Sequence, residues 1–462
     1  MLKLQSNITI IKYKDKTKNV LNYPLKQSFR LGSSSTADTL VEADETTINK
    51  ETYRSYFENG EEVYIEFKFV TDIEITSSFN NLTKTAIVTL PRNLDFNGID
   101  VVGGNYGYSD SKLNEYPIFS IGDRIIIELG YEDPDLLSEG TTTLQEFFRG
   151  YITKIDNNTP LVLHCEDMMY YLKRNKVKYP DDVTYKGESL KPITFRKLIE
   201  RTLISKKPNN LYLPVDNNFD FDLSFGYNEQ YNVSPFRTPV YINNIDTLSF
   251  HYSTQRIMNI SEMFNELKKK TGIVCYFDEF NNLHFELPFQ NTLSKSSSAN
   301  PKYTFLWESQ VIDHNLDYQD GEDVYVRLEL SSECVDKKGV KLYAYQTKGN
   351  NFYGDADGNI ITVNYPPYKP AEKDATQAQL NKLAETLYAS QKYTGYAKGS
   401  TFTTFGEPAV FMGDHIRMVS TKYPERNGTF QVVGVKRTFG IDGYRQEIEL
   451  GVGIFDNDIK KT

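Results

Sequence analysis

The stretch from Phe402 to Gly451 contains F-G-E-P-A-V-F-M-G-D-H-I-R-M-V-S (405–420), Y-P-E-R-N-G-T-F-Q-V-V-G-V-K-R-T-F (423–439) and I-D-G-Y-R-Q-E-I-E-L-G (441–451). It reads as a β-meander. Gly413-Asp414 is a turn signal that opens an apolar run. Asn427-Gly428 and Asp442-Gly443 are dipeptides that supply positive φ in tight hairpins. In the last run Tyr444, Ile448 and Leu450 share one face, and Arg445, Glu447 and Glu449 the other. That is a half-buried strand with one wet side.

Far upstream the same grammar recurs between Gly122 and Asp167: I-G-D-R-I-I-I-E-L-G-Y (121–131), F-F-R-G-Y-I-T-K-I-D (147–156) and P-L-V-L-H-C-E-D (160–167). Gly122-Asp123 again opens an apolar strand, and Gly150 is read as preceding one, as Gly428 does. Each signal is common in β-proteins, but the ordered set occurs twice. The expectation is two copies of one small β-domain separated by something else. The competing reading is two unrelated sheets that share turn chemistry.

At 462 residues the chain has room for about three domains. With 33 Tyr and 28 Phe it is rich in aromatics, which suits sheet surfaces and interfaces more than helical bundles. The net charge of −10 argues against a nucleic-acid binder, which needs a basic patch to displace counterions. It leaves room for a channel that a polyanion passes without sticking. The three cysteines, Cys165, Cys275 and Cys334, make no disulfide framework and no metal spacing. The first residues lack the apolar core of a signal peptide, and no run suits a membrane helix. The expectation is therefore synthesis in the cytoplasm and no stable membrane insertion.

Along the chain, residues 1–62 read as an N-terminal arm, with one strand within I-T-I-I-K-Y (8–13). Residues 63–174 read as the first β-barrel domain. Strands 63–70, 72–76 and 85–91 open it, and the helical M-M-Y-Y-L-K-R (168–174) ends it. Residues 175–305 read as an α+β insert. Thr194 caps one helix, with Phe195, Leu198, Ile199 and Leu203 in its stripe. Asn259, with Glu262 at the capping-box position, starts a second helix whose stripe is Ile260, Met263, Phe264 and Leu267. A hairpin follows it, I-V-C-Y-F to L-H-F-E-L. Residues 306–455 read as the second β-barrel domain, carrying one helix at 374–390, and 456–462 as a C-terminal tail. The fold class is β-rich α+β: two similar small β-barrels flanking a helix-plus-sheet insert.

No site chemistry stands out. None of the five histidines has a ligand spacing such as H-E-x-x-H, and no nucleophile elbow or phosphate loop is present. His164-Cys165-Glu166-Asp167 is the densest set of ligand types, but on a strand His164 and Cys165 point to opposite faces. Asp355-Ala-Asp-Gly-Asn359 fails as a calcium loop, because Pro366 stands where the bidentate Glu should be. It reads instead as a hairpin turn. Nothing singles out a glycosidase carboxylate pair, and one tryptophan, Trp307, offers little sugar stacking. No catalytic, cofactor or metal residue is assigned. The residues singled out are turn glycines and their neighbours: Gly122, Asp123, Gly150, Gly413, Asp414, Gly428 and Gly443.

These motifs resemble the baseplate hub, or late-control D-like, proteins of phage tails and contractile injection systems. D-I-E-I-T-S-S-F-N-N-L-T-K-T-A-I-V-T-L-P (72–91) is similar to the family's opening strand pair. F-F-R-G-Y-I-T-K-I-D (147–156) with L-V-L-H-C-E-D-M-M-Y-Y-L-K-R (161–174) is similar to the closure of its first barrel. Gly413 to Gly451 is similar to its second barrel. The resemblance covers about residues 63–455. It implies a structural, non-enzymatic hub without cofactors: a homotrimer whose six tube-like barrels adapt a hexameric tail tube to a trimeric spike and form part of a DNA or effector conduit. It further implies partners in the tail tube or distal tail protein, the spike protein on a separate chain, and the tape measure protein. The place implied is the virion tail, assembled in the host cytoplasm. The alternative, from a different class, is a tail-associated glycan-binding or glycan-hydrolysing β-protein.

Overall fold

The computed structural model describes mainly residues 3–14, 29–31, 61–67, 70–90, 121–132, 144–156, 160–174, 193–203, 258–271, 273–279, 282–286, 301–319, 326–335, 341–349, 359–364, 399–424 and 427–456, with a few short stretches and single residues between them. The expected loops at 33–49 and 97–110 lie outside the described residues.

The first half of the chain contributes β1 (Lys3–Lys14), β2 (Phe29–Leu31), β3 (Glu61–Phe67), β4 (Asp72–Ser78), β5 (Thr85–Leu90), β6 (Arg124–Glu132), β7 (Gln145–Asp156) and β8 (Leu161–Glu166), followed by helix α1 (Met169–Arg174). Alternation explains these strands. In β8 Leu161, Leu163 and Cys165 are buried while Val162, His164 and Glu166 are partly exposed. The residues expected to form an arm do more than that. β1 lies inside the sheet between β3 and β6, and Ile8 and Ile10 are fully buried in the core with Ile125, Ile127 and Phe148. Residues 3–14 thus belong to the first sheet, because their apolar alternation gives β6 a neighbour along its whole length.

The insert contains β9 (Lys176–Val177), β10 (Ile193–Thr194), α2 (Phe195–Leu203), β11 (Val240–Ile242), β12 (Ser249–Phe250), β13 (Met258–Asn259), α3 (Ile260–Thr271), β14 (Val274–Phe277) and β15 (Leu283–Glu286). Helix α3 begins on a reciprocal cap. Asn259 Oδ1 accepts the Glu262 amide at 2.7 Å, and Glu262 Oε2 accepts the Asn259 amide at 3.3 Å. Its stripe of Met263, Phe264 and Leu267 packs with Phe195, Leu198 and Ile199 of α2 and Phe285 of β15. Each such side chain contributes ~1.5–3 kcal/mol by leaving water. The same core takes in Met168, Met169 and Leu172 at α1, so the insert is anchored on the end of β8.

The last part holds β16 (Tyr303–Leu306), α4 (Trp307–Gln310), β17 (Asp313–Asn315), β18 (Tyr318–Gln319), β19 (Val326–Val335), β20 (Lys341–Gly349), β21 (Asn359–Asn364), β22 (Gly395–Tyr396), β23 (Thr401–Phe405), β24 (His415–Val419), β25 (Gly428–Gly440) and β26 (Gly443–Phe455). Strand β16 spans the boundary expected at 305/306 and pairs with β24. β19, β20 and β21 form a sheet of their own in the order β20-β19-β21. The hairpin turn expected at Asp355–Asn359 lies outside the described residues, except for Asn359, which begins β21. The described strands nearest to it, β20 and β21, lie on opposite edges of β19. Of the helix expected at 374–390, the described residues Gln377, Asn381, Ala384, Glu385 and Tyr388 are helical, and Gln377 Nε2 donates to Asn381 Oδ1 at 2.9 Å.

One sheet runs through both halves, in the order β17-β23-β26-β25-β4-β5-β8-β7-β6-β1-β3-β2, with β24 beside β25 and β16 beside β24. Within it two sets of five strands have one topology. The first is β4-β5-β8-β7-β6, and the second β17-β23-β26-β25-β24, every pairing antiparallel. The sixth neighbour differs: β1 lies antiparallel on β6, whereas β16 lies parallel on β24. Among the described residues no pairing closes either set into a barrel.

Candidate functional site

The site that the sequence points to is made of turns, and each turn can be placed. Gly122 and Gly413 both have positive φ, +96° and +88°. The Gly122 amide donates to the Ile152 carbonyl at 2.7 Å, and the Ile152 amide donates to the Asp123 carbonyl at 2.9 Å. The Gly413 amide donates to the Val432 carbonyl at 2.9 Å, and the Val432 amide to the Asp414 carbonyl at 2.8 Å. The two corners make the same pair of bonds. Neither glycine is required by crowding, since a Cβ would stay 3.6 Å from Tyr170 Oη in one and 3.7 Å from Tyr276 Oη in the other. The left-handed backbone is what selects glycine. A bulge follows each corner. The register of β7 on β8 shifts between Ile152 and Lys154, and that of β25 on β26 between Val432 and Gly434.

Asp414 has an added task. Its Oδ2 accepts the Phe411 amide at 2.9 Å and pairs with Lys302 Nζ at 2.9 Å, tying β16 to the corner. Gly443 has φ +97° and closes the turn whose tip residues are Ile441 and Asp442. Two glycines sit differently from the sequence reading. Gly428 opens β25 after a longer connection, residues 420–427, and is not in a two-residue hairpin. Gly150 lies inside β7, opposite Ile125. Counting back from the matched Ile152 and Val432, Gly150 corresponds to Phe430, and Gly428 to Phe148. A Cβ on Gly150 would meet the Glu166 carbonyl oxygen and Phe148 Cζ at 2.1 and 2.7 Å, so close backbone approach requires glycine there.

The sequence reading missed the joint between the two strand sets. The N-terminal end of β25 pairs with β24, but from Gly434 to Gly440 it pairs with Ser78 to Asp72 of β4. Gly434 permits this approach, since a Cβ there would lie 3.2 Å from Ser78 Cβ. Lys436 Nζ meets Glu74 Oε2 across the joint at 3.0 Å. Beneath it Arg437, 1% exposed, lays its guanidinium 4.5 Å from the Phe147 ring centre and 4.9 Å from that of Phe411, and donates to the Val410 carbonyl. Burial lowers its pKa. Gln446, fully buried, clamps the adjoining loop. Its Nε2 donates to the Pro408 carbonyl at 2.7 Å, and its Oε1 accepts the Val410 amide at 3.2 Å. Phe439 and Tyr444 complete the first core rather than the second.

Polar clusters elsewhere serve structure. His284 Nε2 lies 3.1 Å from Asp278 Oδ2 and is sandwiched by Tyr241 and Tyr276. The same carboxylate accepts the Asn282 amide and side chain, so the dyad clasps the β14–β15 turn. His164 points away from buried Cys165 and meets Asp156 at 2.8 Å. Asp167 is buried. It accepts the amides of Lys84 and Met169, each at 2.9 Å, and burial pushes its pKa up to about 7 against the pull of those donors. Among the described residues no group of three or more His, Cys, Asp or Glu side chains converges as for a metal ion, and no helix is long and apolar enough to cross a membrane.

No family profile and no curated protein matches the sequence. Solved structures do resemble the chain. A tail protein from Neisseria meningitidis MC58 is 12% identical over 84% of this chain and 93% of its own, with a TM-score of 0.48. The prophage MuSo2 43 kDa tail protein from Shewanella oneidensis is 10% identical over 83% and 93%, with a TM-score of 0.44. An E. coli component of the type VI secretion system, described as structurally similar to T4 bacteriophage tail proteins, is 9% identical over 84% and 74%, with a TM-score of 0.36. The likeness is one of backbone.

Proposed function

We propose that this chain is a structural baseplate hub at the tip of a phage tail or contractile injection device, without catalytic activity. The observation that carries the reading is the repeated five-strand order, with the Gly122 and Gly413 corners making the same bonds. A chain with two like modules solves a symmetry problem. Three copies offer six similar faces to a hexameric tube while keeping three-fold symmetry for a spike. The two five-strand sets would be the tube-like barrels, each completed in the assembly, with the α+β insert to the outside or on the spike side. Tail tube or distal tail protein would bind one face, the spike protein the other, and the tape measure protein would end near the channel.

Cryo-EM of the tail tip is the test. Three copies forming a ring of six modules between tube and spike is the expected result. One copy per particle, or a position along the tail shaft, would remove the hub reading. Turnover of a bacterial polysaccharide by the purified chain, lost on mutating a carboxylate pair, would favour the glycan alternative.

A further inference from the structure

On one face of the β24–β25 ladder three buried polar atoms have no hydrogen-bond partner among the described residues: His415 Nε2, Arg417 Nε and Gln431 Oε1. Ile416 and Met418 of β24, and Phe430 and Val432 of β25, fill the second core. Alternation turns the intervening His415, Arg417 and Gln431 to the opposite face. His415 and Gln431 stand directly opposite each other in the register, which puts their Cβ atoms about 5 Å apart. Gln431 is only 4% exposed. Buried polar groups are nearly always paired, so this cluster calls for an explanation.

The insert covers this face. Val433, on the same side of β25 as Gln431, packs with Val274 and Tyr276 of β14. Tyr276 Oη lies 3.7 Å from where a Cβ on Gly413 would stand, and it donates to Glu286 Oε1 at 3.1 Å. Burial lowers the pKa of His415, against the opposing pull of Asp414 and of the Glu286 carboxylate. The ring is therefore neutral at pH 7 and keeps a lone pair on one nitrogen. Asp414 is engaged elsewhere, by Lys302 at 2.9 Å. A neutral imidazole, an amide oxygen and a carboxylate are all acceptors. What satisfies three acceptors at once is a cation, and an imidazole among them selects a first-row metal over calcium or magnesium.

We propose that His415 Nε2, Gln431 Oε1 and the Glu286 carboxylate form a zinc site that pins the insert to the second strand set. The third ligand is an amide oxygen, so the site draws on one histidine and one carboxylate only, and water completes the tetrahedron. Tyr276 is a positioning residue: its hydroxyl orients the carboxylate, as partners of metal ligands do. Arg417 stands about 7 Å along β24 from His415. Its charge is answered by Asp456 at 2.7 Å, and its Nε–H faces the side on which that water would lie. Ligands from β15, β24 and β25 come together only in the folded chain, so the metal stabilises the fold. This site does not depend on the hub reading.

Calorimetric titration of the full chain, stripped with a chelator and carrying no histidine tag, is the test. Zinc should bind at one site per chain and raise the thermal midpoint, whereas magnesium should do neither. His415→Ala should lower zinc affinity by at least ~10-fold, and Tyr276→Phe, which loses only the hold on Glu286, by ~10-fold. Gln431→Glu should bind zinc more tightly than the parent chain, because a carboxylate replaces a neutral oxygen. A merely structural Gln431 would give no such gain. Circular dichroism checks that each variant is folded. A parent chain that takes up no zinc overturns the site, and so does zinc affinity that His415→Ala or Gln431→Glu leaves unchanged.

Discussion

The guanidinium of Arg437 lies 4.5 Å over the ring of Phe147, and the two residues belong to different strand sets. Phe411, stacked on Phe147 with ring centres 5.7 Å apart, lies 4.9 Å from the same cation, so two neighbouring aromatic rings contact it at the centre of the joint. Arg437→Ala should empty this space and destabilise the chain by about 3 kcal/mol, as large-to-small changes in cores do. Arg437→Met, similar in volume and without a buried charge, should cost clearly less. Urea unfolding of the three proteins checks this. An unchanged midpoint for Arg437→Ala would show that the stack contributes nothing.

The two Gly-Asp corners should respond alike. Gly122→Ala and Gly413→Ala force a Cβ into left-handed backbone, at a cost of ~1–2 kcal/mol each. Asn tolerates that region better, so Gly122→Asn and Gly413→Asn should each be milder than Ala. Thermal unfolding of the four variants decides it. The account fails if Asn is the worse replacement at either corner, because crowding would then be the cause.

Asp167 predicts a pH dependence. The folded state holds a proton on it up to about pH 7, whereas the unfolded chain releases that proton near 3.8. Stability from this group is therefore fully present below 3.8 and falls as pH rises through about 7. The full range is up to about 4 kcal/mol. Between pH 5 and pH 8 the urea midpoint should fall, and Asp167→Asn should flatten that fall. An equally steep profile in the Asn variant would assign the effect to another group.

Removing the Asn259 side chain should cost ~1 kcal/mol, since Ala leaves the Glu262 amide without its acceptor. Ser at the same position should recover most of the loss. Equal midpoints for Ala and the parent chain would mean that α3 is held by packing alone.

What could be read from the sequence was what neighbouring residues decide. Asn259 and Glu262 announce α3 because a capping box spans three positions, and the Gly-Asp corners announce themselves through backbone conformation. Asn427-Gly428 misled for the same local reason. Asn427 uses its side chain, whose Oδ1 accepts the Ser420 amide at 2.7 Å to close a connection longer than a two-residue turn. Gly150 misled because a strand glycine that admits Phe148 looks like a turn residue. The pairing of Gly434–Gly440 with Asp72–Ser78 has no local signal at all. Arg437 illustrates the difficulty. In the sequence it is a charged residue in a strand, and only the aromatic faces of Phe147 and Phe411 make it part of the core.

The shared strand β25 also sets the order in which the protein can be completed. Ser77 and Val435, hydrogen-bonded across the joint, are 358 residues apart in sequence. At ~5–20 residues per second of synthesis, the outer edge of β4 waits roughly 20–70 s for its partner. Throughout that interval a nascent chain displays an unpaired strand to any neighbour on the same message. Swapping of β25 between chains is then the main competitor to correct folding, and slower elongation late in the message should increase it.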